Sequence, residues 1–505
     1  MLGVAQLRMT TGPAARRALA GALLGACLWL GGGAVARPAN ATLHVDAASR
    51  GGQCSDVRSA SQVSASTPLC SLDRAMALVV SGGKVVVRAA TYPSLTIGTA
   101  YARRTTIRAH TGERPVVQGV RFLPAARNVR LEGFRITDIT EAEGEHLEIV
   151  RNDMSPHGIV MRGNDNLAQG NDIHDLRITF DEHSTAARCH RQWELDGAND
   201  QNGDGRFDHP LSETGGIAPR CGYAFRVHGA NHVIRRNTVR RVPADGVQAS
   251  ATSGLLVAGN RFEDIAVQSR EDGGDPLEHP DGAQVIGSNT DATFRNNVFI
   301  DTRGILSMVG SDGRWPTRLR VEGNVIRTAT KDSGAGDGCL HASAVTAMTV
   351  ANNTCWGDGA YEPRVRITHA AGTETTGVSI RNNVMERFVR GRGVKVDEDY
   401  NLIKRYERAS RAALGTHSVL GSPAFVAGDP LLRLAPGSRG IDAGTSRGTP
   451  RRDREHRARC DEASVRNTGG GARPYFDIGA HEFGSSRRSR GGRRRCRGGR
   501  RARPS

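Results

Sequence analysis

An all-β solenoid, in which short parallel strands stack in successive coils, is the fold class that the sequence predicts. A phrase of alternating apolar and polar residues followed by Asn recurs along the chain, as in LLVAGNRF at 255, LRVEGNVI at 319 and VSIRNNVM at 378. The asparagines of neighbouring copies are mostly 19 to 37 residues apart, and a period of this size indicates stacked repeats. Glycine is abundant, with 62 of 505 residues, and aromatics make up only 5%. Many tight turns fit this composition better than one large aromatic core.

The repeated asparagines are expected to form a ladder along the solenoid. Alternation of apolar and polar residues predicts short strands with one face inward, and parallel stacking places equivalent residues about 4.8 Å apart. Each side-chain amide would then satisfy its neighbour and the backbone of the turn. We therefore assign a structural rather than a catalytic role to Asn152, Asn171, Asn237, Asn260, Asn297, Asn324, Asn353 and Asn383.

The amino terminus has the features of a secretory signal over residues 1–36. Arg16 and Arg17 precede an apolar run of 13 residues, 18–30, and the small-x-small sequence at 34–36 suits cleavage. This run is too short to span a bilayer permanently. A lipobox-like sequence ending at Cys27 leaves lipid anchoring as the alternative. The mature chain is therefore predicted to be secreted or held at the cell surface, without a transmembrane segment.

Eight cysteines remain once the signal is removed, and an even number in an exported chain favours disulfides. We expect sequence neighbours to pair, which is one of the 105 connectivities that eight cysteines allow. The expected pairs are Cys54–Cys70, Cys189–Cys221, Cys339–Cys355 and Cys460–Cys496.

The net charge of +17 is concentrated at the two ends of the chain. Residues 1–36 carry three arginines and residues 484–505 carry ten, neither with an acidic residue, so 17 − 3 − 10 leaves +4 for the body. A basic tail can contact any anionic polymer, although a solvated, disordered end is the simpler interpretation. No nucleic-acid-binding motif accompanies it, so no specific nucleic-acid partner is expected.

The repeat resembles the right-handed parallel β-helix superfamily, which includes pectate lyases, polygalacturonases and alginate-modifying enzymes, over residues 80–420. Residues 71–78 read as a helix capped by Ser71, followed by a strand at 84–88, and resemble the helix that covers the first coil in this superfamily. Residues 429–444 and 477–482 resemble the closing segment of exported β-helix proteins. The implied organisation is a signal at 1–36, a cap and first coil at 37–100, the β-helix at 101–420, a closing segment at 421–483 and a disordered tail at 484–505.

An insertion is expected near 180–222, because the 66 residues between Asn171 and Asn237 exceed one coil. Its sequence DQNGDGRFD, from 200 to 208, matches the first nine positions of a calcium loop, in which alternating oxygen ligands converge on one cation. Leu211 at position twelve excludes a complete EF-hand, and an acidic surface turn is the alternative. The predicted cofactor is a structural calcium ion held by Asp200, Asn202, Asp204, the Arg206 carbonyl and Asp208.

A second group of residues comes together when the coils are aligned on the ladder. Several coils then place an X-Gly pair at the start of a strand, and Gln248 and Gln284 point outward three residues later. Asp-Gly is also a common turn, and Asp can cap backbone amides, so a structural role stays open for these aspartates. The candidate catalytic residues are the column Asp245, Asp281, Arg303 and Asp337, with His279 and Lys331 as nearby bases.

Two reactions fit such a column. In a lyase, calcium or an arginine neutralises a uronate carboxylate, and Arg, Lys or His removes the acidified proton. In a glycoside hydrolase, two carboxylates divide the acid and base roles. Sugar-stacking faces would come from aromatic residues such as Trp315, Trp356 and Tyr361, although buried packing is the alternative for them. The sequence thus favours an exported, lyase-like protein acting on acidic polysaccharide, with a non-catalytic glycan-binding surface protein or a hydrolase as alternatives.

Overall fold

A computed structural model describes residues 42–177, 222–265, 281–308, 313–328, 338–357, 359, 362–370, 372–408 and 413–484. The predicted signal peptide, calcium loop, Cys189–Cys221 disulfide and arginine-rich tail lie outside these residues. So do His279, Lys331, Asp337 and Tyr361, and only the backbone of Arg303 is described.

Strands dominate the described chain, with one α-helix, α1 (Leu72–Leu78), and one 3-10 helix, Ala60–Gln62. The strands are β1 Thr42–Val45, β2 Lys84–Val87, β3 Thr91–Tyr92, β4 Leu95–Ile97, β5 Ala100–Ala109, β6 Val116–Val117, β7 Val120–Phe122, β8 Arg127–Glu132, β9 Arg135–Ile136, β10 Thr140–Ala142, β11 Glu148–Val150, β12 Asp153–Met154, β13 Ile159–Met161, β14 Leu167–Gln169, β15 Asp172–His174, β16 Phe225–Ala230, β17 Val233–Arg235, β18 Thr238–Val242, β19 Val247–Ser253, β20 Leu256–Ala258, β21 Arg261–Ile265, β22 Asp281–Ile286, β23 Thr293–Arg295, β24 Val298–Ile300, β25 Arg303–Met308, β26 Arg320–Glu322, β27 Val325–Thr328, β28 Leu340–Ser343, β29 Thr349–Ala351, β30 Thr354–Gly357, β31 Arg364–Thr368, β32 Val378–Arg381, β33 Val384–Arg390, β34 Val396–Asp399, β35 Leu402–Arg408 and β36 Val419–Leu420.

Every third strand pairs in parallel, so each coil contributes one strand to each of three faces. The first sheet has 13 strands, running β1-β2-β5-β8 and then every third strand to β32 and β34. The second sheet contains β12, β15, β18 and their equivalents, and the third contains β13, β16, β19 and theirs. The second and third sheets merge at β33, which pairs with both β30 and β31. This architecture is the right-handed parallel β-helix that the sequence predicts.

The asparagine ladder lies where the first sheet turns into the second. Asn237 donates both its backbone N–H, at 2.9 Å, and its side-chain amide, at 3.0 Å, to Oδ1 of Asn260 in the next coil. The same Asn237 amide reaches back to the carbonyl of Ala168 at 3.0 Å. All eight predicted asparagines are buried, and Asn401 adds a further step. The predicted ladder is therefore confirmed.

The amino-terminal cap also forms as expected. Ser71 accepts a hydrogen bond from the backbone N–H of Arg74 at 3.2 Å, which satisfies one of the free donors at the helix start. Leu72 and Ala75 of α1 belong to the continuous apolar core. The only α-helix of the described residues has seven residues. Within the described part of the chain, no helix could span a membrane.

Two of the predicted disulfides are present, Cys54–Cys70 and Cys339–Cys355. Cys460 is also disulfide-bonded, and its partner lies outside the described residues. Each of the two described bridges spans 16 residues. They therefore tie together segments that are near neighbours in sequence, as the spacing of the cysteines predicts.

The carboxyl-terminal segment, residues 421–484, packs along the outer face of the second sheet. Ala443 and Ile478 form an apolar cluster with Val384 and Leu402 of β33 and β35. The Asn352 side chain donates to the carbonyls of Asp477 at 3.3 Å and Gly479 at 3.2 Å. The contacts of this segment thus extend over the flank of several coils.

Candidate functional site

The outer face of the third sheet carries a buried strip of polar side chains, which we call the polar strip: Arg226, Gln248 and Gln284. These residues pair in register across β16, β19 and β22, and each is only 3% exposed. Gln248 donates to Gln284 at 3.4 Å, and the Arg226 guanidinium lies 5.7 Å from the centre of the Tyr223 ring. Burial of an arginine and two amides outside the apolar core requires polar partners, which distinguishes this strip from the apolar side chains on the inner face of the same strands.

His228 lies two residues beyond Arg226 on the same strand and therefore on the same face. It is buried, and its Nδ1 is 2.9 Å from the hydroxyl of Ser250 in the next coil. Burial holds the pKa of His228 well below its usual range, and the guanidinium groups of Arg226 and Arg162 lower the pKa further. The imidazole is therefore neutral at neutral pH.

An open cleft of about 650 Å³ begins where these strands end. Gly229, which follows His228, and Ala251, which follows Ser250, both line it, together with Trp315. The polar strip and the cleft are thus continuous along β16 and β19. Trp315 is half-buried, so one part of its indole remains accessible from the cleft.

A column of hydroxyl residues, one from each coil, runs past the cleft, and Ser253, Thr290, Thr317 and Thr346 of this column line it. Bridges between successive coils align Ser253, Thr290, Thr317, Thr346 and Thr376. Parallel stacking separates such residues by about 4.8 Å, which is close to the length of one sugar unit in an extended polysaccharide. This spacing would allow a glycan to lie along the solenoid axis, with one sugar beside each coil.

Three of the predicted column residues occupy equivalent places on successive coils. Asp281 pairs with Arg303, and the Gly246 N–H donates to the Asp281 carbonyl at 2.9 Å, which aligns Asp245 with Asp281. The Asp245 carboxylate accepts the backbone N–H of Asp281 at 2.8 Å. Asp245 therefore caps the backbone of the next coil, as the structural alternative expects.

The side chains of the predicted column and of the polar strip differ in direction. Asp281 is three residues before Gln284 on β22, and side chains an odd number of residues apart point to opposite faces of a strand. Asp281 is 3% exposed. Its catalytic role, like those of Asp245 and Arg303, stays a prediction.

The expected alignment of Arg303 with Asp337 is wrong by one residue. Ile305 pairs with Leu340, and the Gly304 N–H donates to the Gly338 carbonyl at 3.1 Å, so Arg303 is aligned with Gly338. The sequence alignment matched glycines, whereas the strands are aligned by their core-facing residues. Earlier in the chain, Tyr223 is aligned with Asp245, because the Ala224 N–H donates to the Asp245 carbonyl at 3.1 Å.

Of the aromatic residues considered for sugar stacking, Trp356 has a packing role. Its ring meets Phe425 edge-on at a centroid distance of 5.5 Å, and the ammonium of Lys404 lies 5.6 Å from the ring centre. Trp356 thus helps to hold the carboxyl-terminal segment. Trp315, in contrast, lines the cleft.

Sequence reasoning missed Arg226 and His228. A signal was present, because the alternation Phe225–Arg226–Val227–His228 places two ionisable groups at outward positions. The copy of the ladder phrase that follows them is irregular, and the neighbouring coil is interrupted by a long insertion. The register with Gln248 therefore became visible only from the strand pairing.

Fold and strand pairing thus define a right-handed parallel β-helix protein with a polar site on its third sheet. Residues 213–355 match a family model described as a right handed beta helix region. No curated protein sequence matches the chain.

Several solved structures are similar to this chain at low identity. The pectate lyase Pel9A is 14% identical, with a TM-score of 0.41, over 88% of this chain and 97% of its own. The PL6 family alginate lyase AlyGC is 12% identical, with a TM-score of 0.42, over 73% of this chain and 54% of its own. The A-module of the Azotobacter vinelandii mannuronan C-5 epimerase AlgE4 is 15% identical, with a TM-score of 0.30, over 75% of this chain and 100% of its own. The fold assignment itself rests on the strand pairing described above.

Proposed function

We propose that this protein acts on an acidic, uronate-containing polysaccharide by a lyase-like elimination at the third sheet. The observation that carries the proposal is the position of His228. A neutral imidazole lies beside the arginine of the polar strip, and the next residue on its strand, Gly229, already lines the hydroxyl-bordered cleft. In this proposal the proton acceptor, the carboxylate-binding group and the glycan-binding surface would belong to one continuous region.

The cleft supplies the binding surface in this proposal. Polysaccharides are recognised by hydroxyl groups that exchange hydrogen bonds with sugar hydroxyls and by aromatic faces that cover sugar C–H groups. The hydroxyl column provides the first, and Trp315 provides the second. Arg226 would bind a uronate carboxylate through its planar guanidinium, which matches the geometry of a carboxylate.

The chemical step follows from the same groups. Neutralisation of the carboxylate by Arg226 makes the adjacent C–H bond more acidic, and His228 accepts its proton as general base. The electron pair of that C–H bond forms a carbon–carbon double bond, the neighbouring carbon–oxygen bond breaks, and the glycosidic oxygen takes a proton from water as it leaves with the departing sugar. In this proposal Nδ1 of His228 donates to the Ser250 hydroxyl, which lies 2.9 Å away, and this tautomer leaves Nε2 as the accepting atom.

Calcium, export and the basic tail are further parts of this proposal. A calcium ion bound by the loop from Asp200 to Asp208 would order the insertion that precedes β16. The two described disulfides support an extracellular site of action, and the arginine-rich tail would strengthen attachment to an anionic polymer. In addition to His228, the catalytic residues predicted from the sequence remain part of the proposal: Asp245, Asp281, Arg303, Asp337, His279 and Lys331.

The test is an activity assay on the mature protein with calcium. Pectate, alginate and a neutral glucan would be incubated separately, and both the ultraviolet absorbance of unsaturated uronate and new reducing ends would be followed. A lyase raises both signals on an acidic polymer. His228→Gln should lower the rate by at least ~10²-fold, since general-base catalysis contributes this much or more.

His174→Gln is the matched control, because His174 is also bonded to neighbouring side chains, Asp153 and Asp175, but lies on the second sheet. Full activity of a folded His228→Gln variant would contradict the assigned base. Reducing ends without absorbance would identify a hydrolase.

A non-catalytic glycan-binding protein is the second candidate. It is favoured by the difference in accessibility between the open cleft, whose Ser253 and Thr346 are exposed, and the buried His228 and Arg226. Retention on immobilised alginate or pectate without either product signal would support this alternative and refute the lyase.

A further inference from the structure

We propose that the carboxyl-terminal segment contains a binding site for a zinc-like divalent cation, formed by Asp453, Glu455 and His481. One potential ligand atom from each of the three residues lies within 4.8 Å of the others. Asp453 and His481 are buried, at 1% and 3% exposure, and Glu455 is partly buried. The site lies in the segment that packs on the second sheet and is separate from the proposed catalytic region on the third sheet.

The state of His481 is the observation that points to a ligand. Among the described residues, neither of its ring nitrogens has a hydrogen-bond partner. The distance from Nδ1 to Oε1 of Glu455 is 3.9 Å, which is too long for a hydrogen bond. Buried polar atoms are almost always bonded in folded proteins, so an imidazole with two unused nitrogens between carboxylates is missing a partner.

The donor set selects the kind of ion. An imidazole nitrogen with carboxylate oxygens suits zinc and similar transition ions, whereas calcium is held by oxygen ligands alone. Bonds of about 2.1 Å in a tetrahedral site place ligand atoms ~3.4 Å apart. The present separations of 3.9 Å and at most 4.8 Å would close to this value by small side-chain rotations. Water would complete the coordination.

Neighbouring arginines oppose the ion and limit its affinity. Arg433 contacts Oε1 of Glu455, and Arg457 contacts its Oε2, each at 2.5 Å. Arg433 is held a second time by Asp429 at 3.1 Å, whereas the side chain of Arg457 is 35% exposed. We expect Arg457 rather than Arg433 to yield its place to the cation, because the side chain of Arg457 is the more exposed of the two. Binding should therefore be in the micromolar range and should tighten when Arg457 is removed.

Such an ion would connect two parts of the segment that are distant in sequence. His481 follows Ala480, whose N–H donates to Thr354 of the second sheet at 3.0 Å, while Asp453 and Glu455 belong to a loop more than 20 residues earlier. The cation would therefore connect this loop to the part of the segment around His481, which packs on the solenoid.

The test uses the purified full chain after treatment with a chelator, with zinc chloride as the probe. Isothermal titration should show a site of micromolar affinity, and thermal unfolding should shift upward with zinc concentration, as expected for a ligand that binds only the folded state. His481→Gln should weaken this binding at least ~10-fold, and Arg457→Gln should strengthen it. His417→Gln is the control, because His417 pairs with Asp399 on the last coils.

Two results would overturn the proposal. One is a folded chain that takes up no zinc at micromolar concentrations. The other is zinc uptake that is equally strong in the His481→Gln and Arg457→Gln variants, which would place the ion elsewhere. If His481→Gln does not fold, the wild-type titration and the direction of the Arg457→Gln effect decide the question.

Discussion

Asn260 accepts two hydrogen bonds from Asn237 through a single oxygen, one from the backbone N–H at 2.9 Å and one from the side-chain amide at 3.0 Å. Its own amide donates in turn to the carbonyl of Ile234 at 2.9 Å and to Asn297 at 3.0 Å. Each ladder residue thus satisfies backbone groups in the coils on both sides. The ladder therefore links successive coils by hydrogen bonds at the corner between the first and second sheets, which lies outside the paired strands.

Asn260→Ala should therefore destabilise the solenoid by about 3 kcal/mol or more. The substitution leaves buried donors and acceptors without partners, and each such group costs about 1–3 kcal/mol. Urea denaturation measures the change. Gln169→Ala removes an amide whose bond to Arg235 is exposed and should cost less than about 0.5 kcal/mol. Equal effects of the two substitutions would contradict a stabilising role for the ladder.

Arg459 and Glu482 form a fully buried ion pair in the carboxyl-terminal segment, with 2.9 Å between Nη1 and Oε2 and side-chain exposures of 1% and 0%. Arg459→Met should cost roughly 3–5 kcal/mol, because it removes the cationic partner of a buried carboxyl group, whose pKa is already raised by burial. Adding Glu482→Gln should restore part of this loss. The exposed pair of Arg318 with Asp291 is the control, since Arg318→Gln should cost less than about 1 kcal/mol.

Asp442 should make stability fall as pH rises. Burial and, second, the nearby Asp477 carboxyl together raise the pKa of the Asp442 carboxyl to about 7. In the unfolded chain this group titrates near pH ~3.9, so the folded state favours the protonated form. The stabilisation is complete below about pH 4 and is lost as pH rises through about 7. Asp442→Asn should become progressively more stable relative to the wild type between about pH 4 and pH 8, as measured by denaturation. Parallel stability curves would show that the pKa is not raised.

The two described tryptophans should respond differently to replacement by alanine. Trp315→Ala should reduce affinity for an acidic polysaccharide roughly tenfold, since an aromatic contact contributes up to ~1.5 kcal/mol, and should leave the unfolding temperature nearly unchanged. Trp356→Ala should instead cost about 3 kcal/mol of stability, because it removes the contact with Phe425. Binding assays and thermal scans on both variants separate the two roles. A stability loss in Trp315→Ala without a binding defect would exclude the cleft as a glycan site.

Much of the fold is predictable because its determinants are local. The alternation in LLVAGNRF at 255 specifies a strand, an inward face and a turn within eight residues, and neighbouring coils contain the same sequence pattern. The Ser71 cap and the Cys54–Cys70 and Cys339–Cys355 disulfides likewise join residues that are close in sequence. In a solenoid such local sequence patterns are enough to predict the overall fold, because each coil contacts mainly its neighbours.

The site was less predictable because it depends on register between coils of unequal length. The sequence correctly predicts that Asp245 and Asp281 are aligned, whereas its alignment of Arg303 with Asp337 is wrong by one position. A shift of one residue turns a side chain to the opposite face of the strand. Only the paired core residues Ile305 and Leu340 decided that alignment.

By itself, the sequence determined the repeating coil, the ladder, the helical cap and the neighbouring disulfides. The tertiary structure alone decided that Arg226, His228 and Gln248 meet beside the cleft, and that His481 approaches Glu455 in the folded carboxyl-terminal segment. These residues come together through packing between segments separated by insertions or loops, and no periodic pattern in the chain encodes those distances.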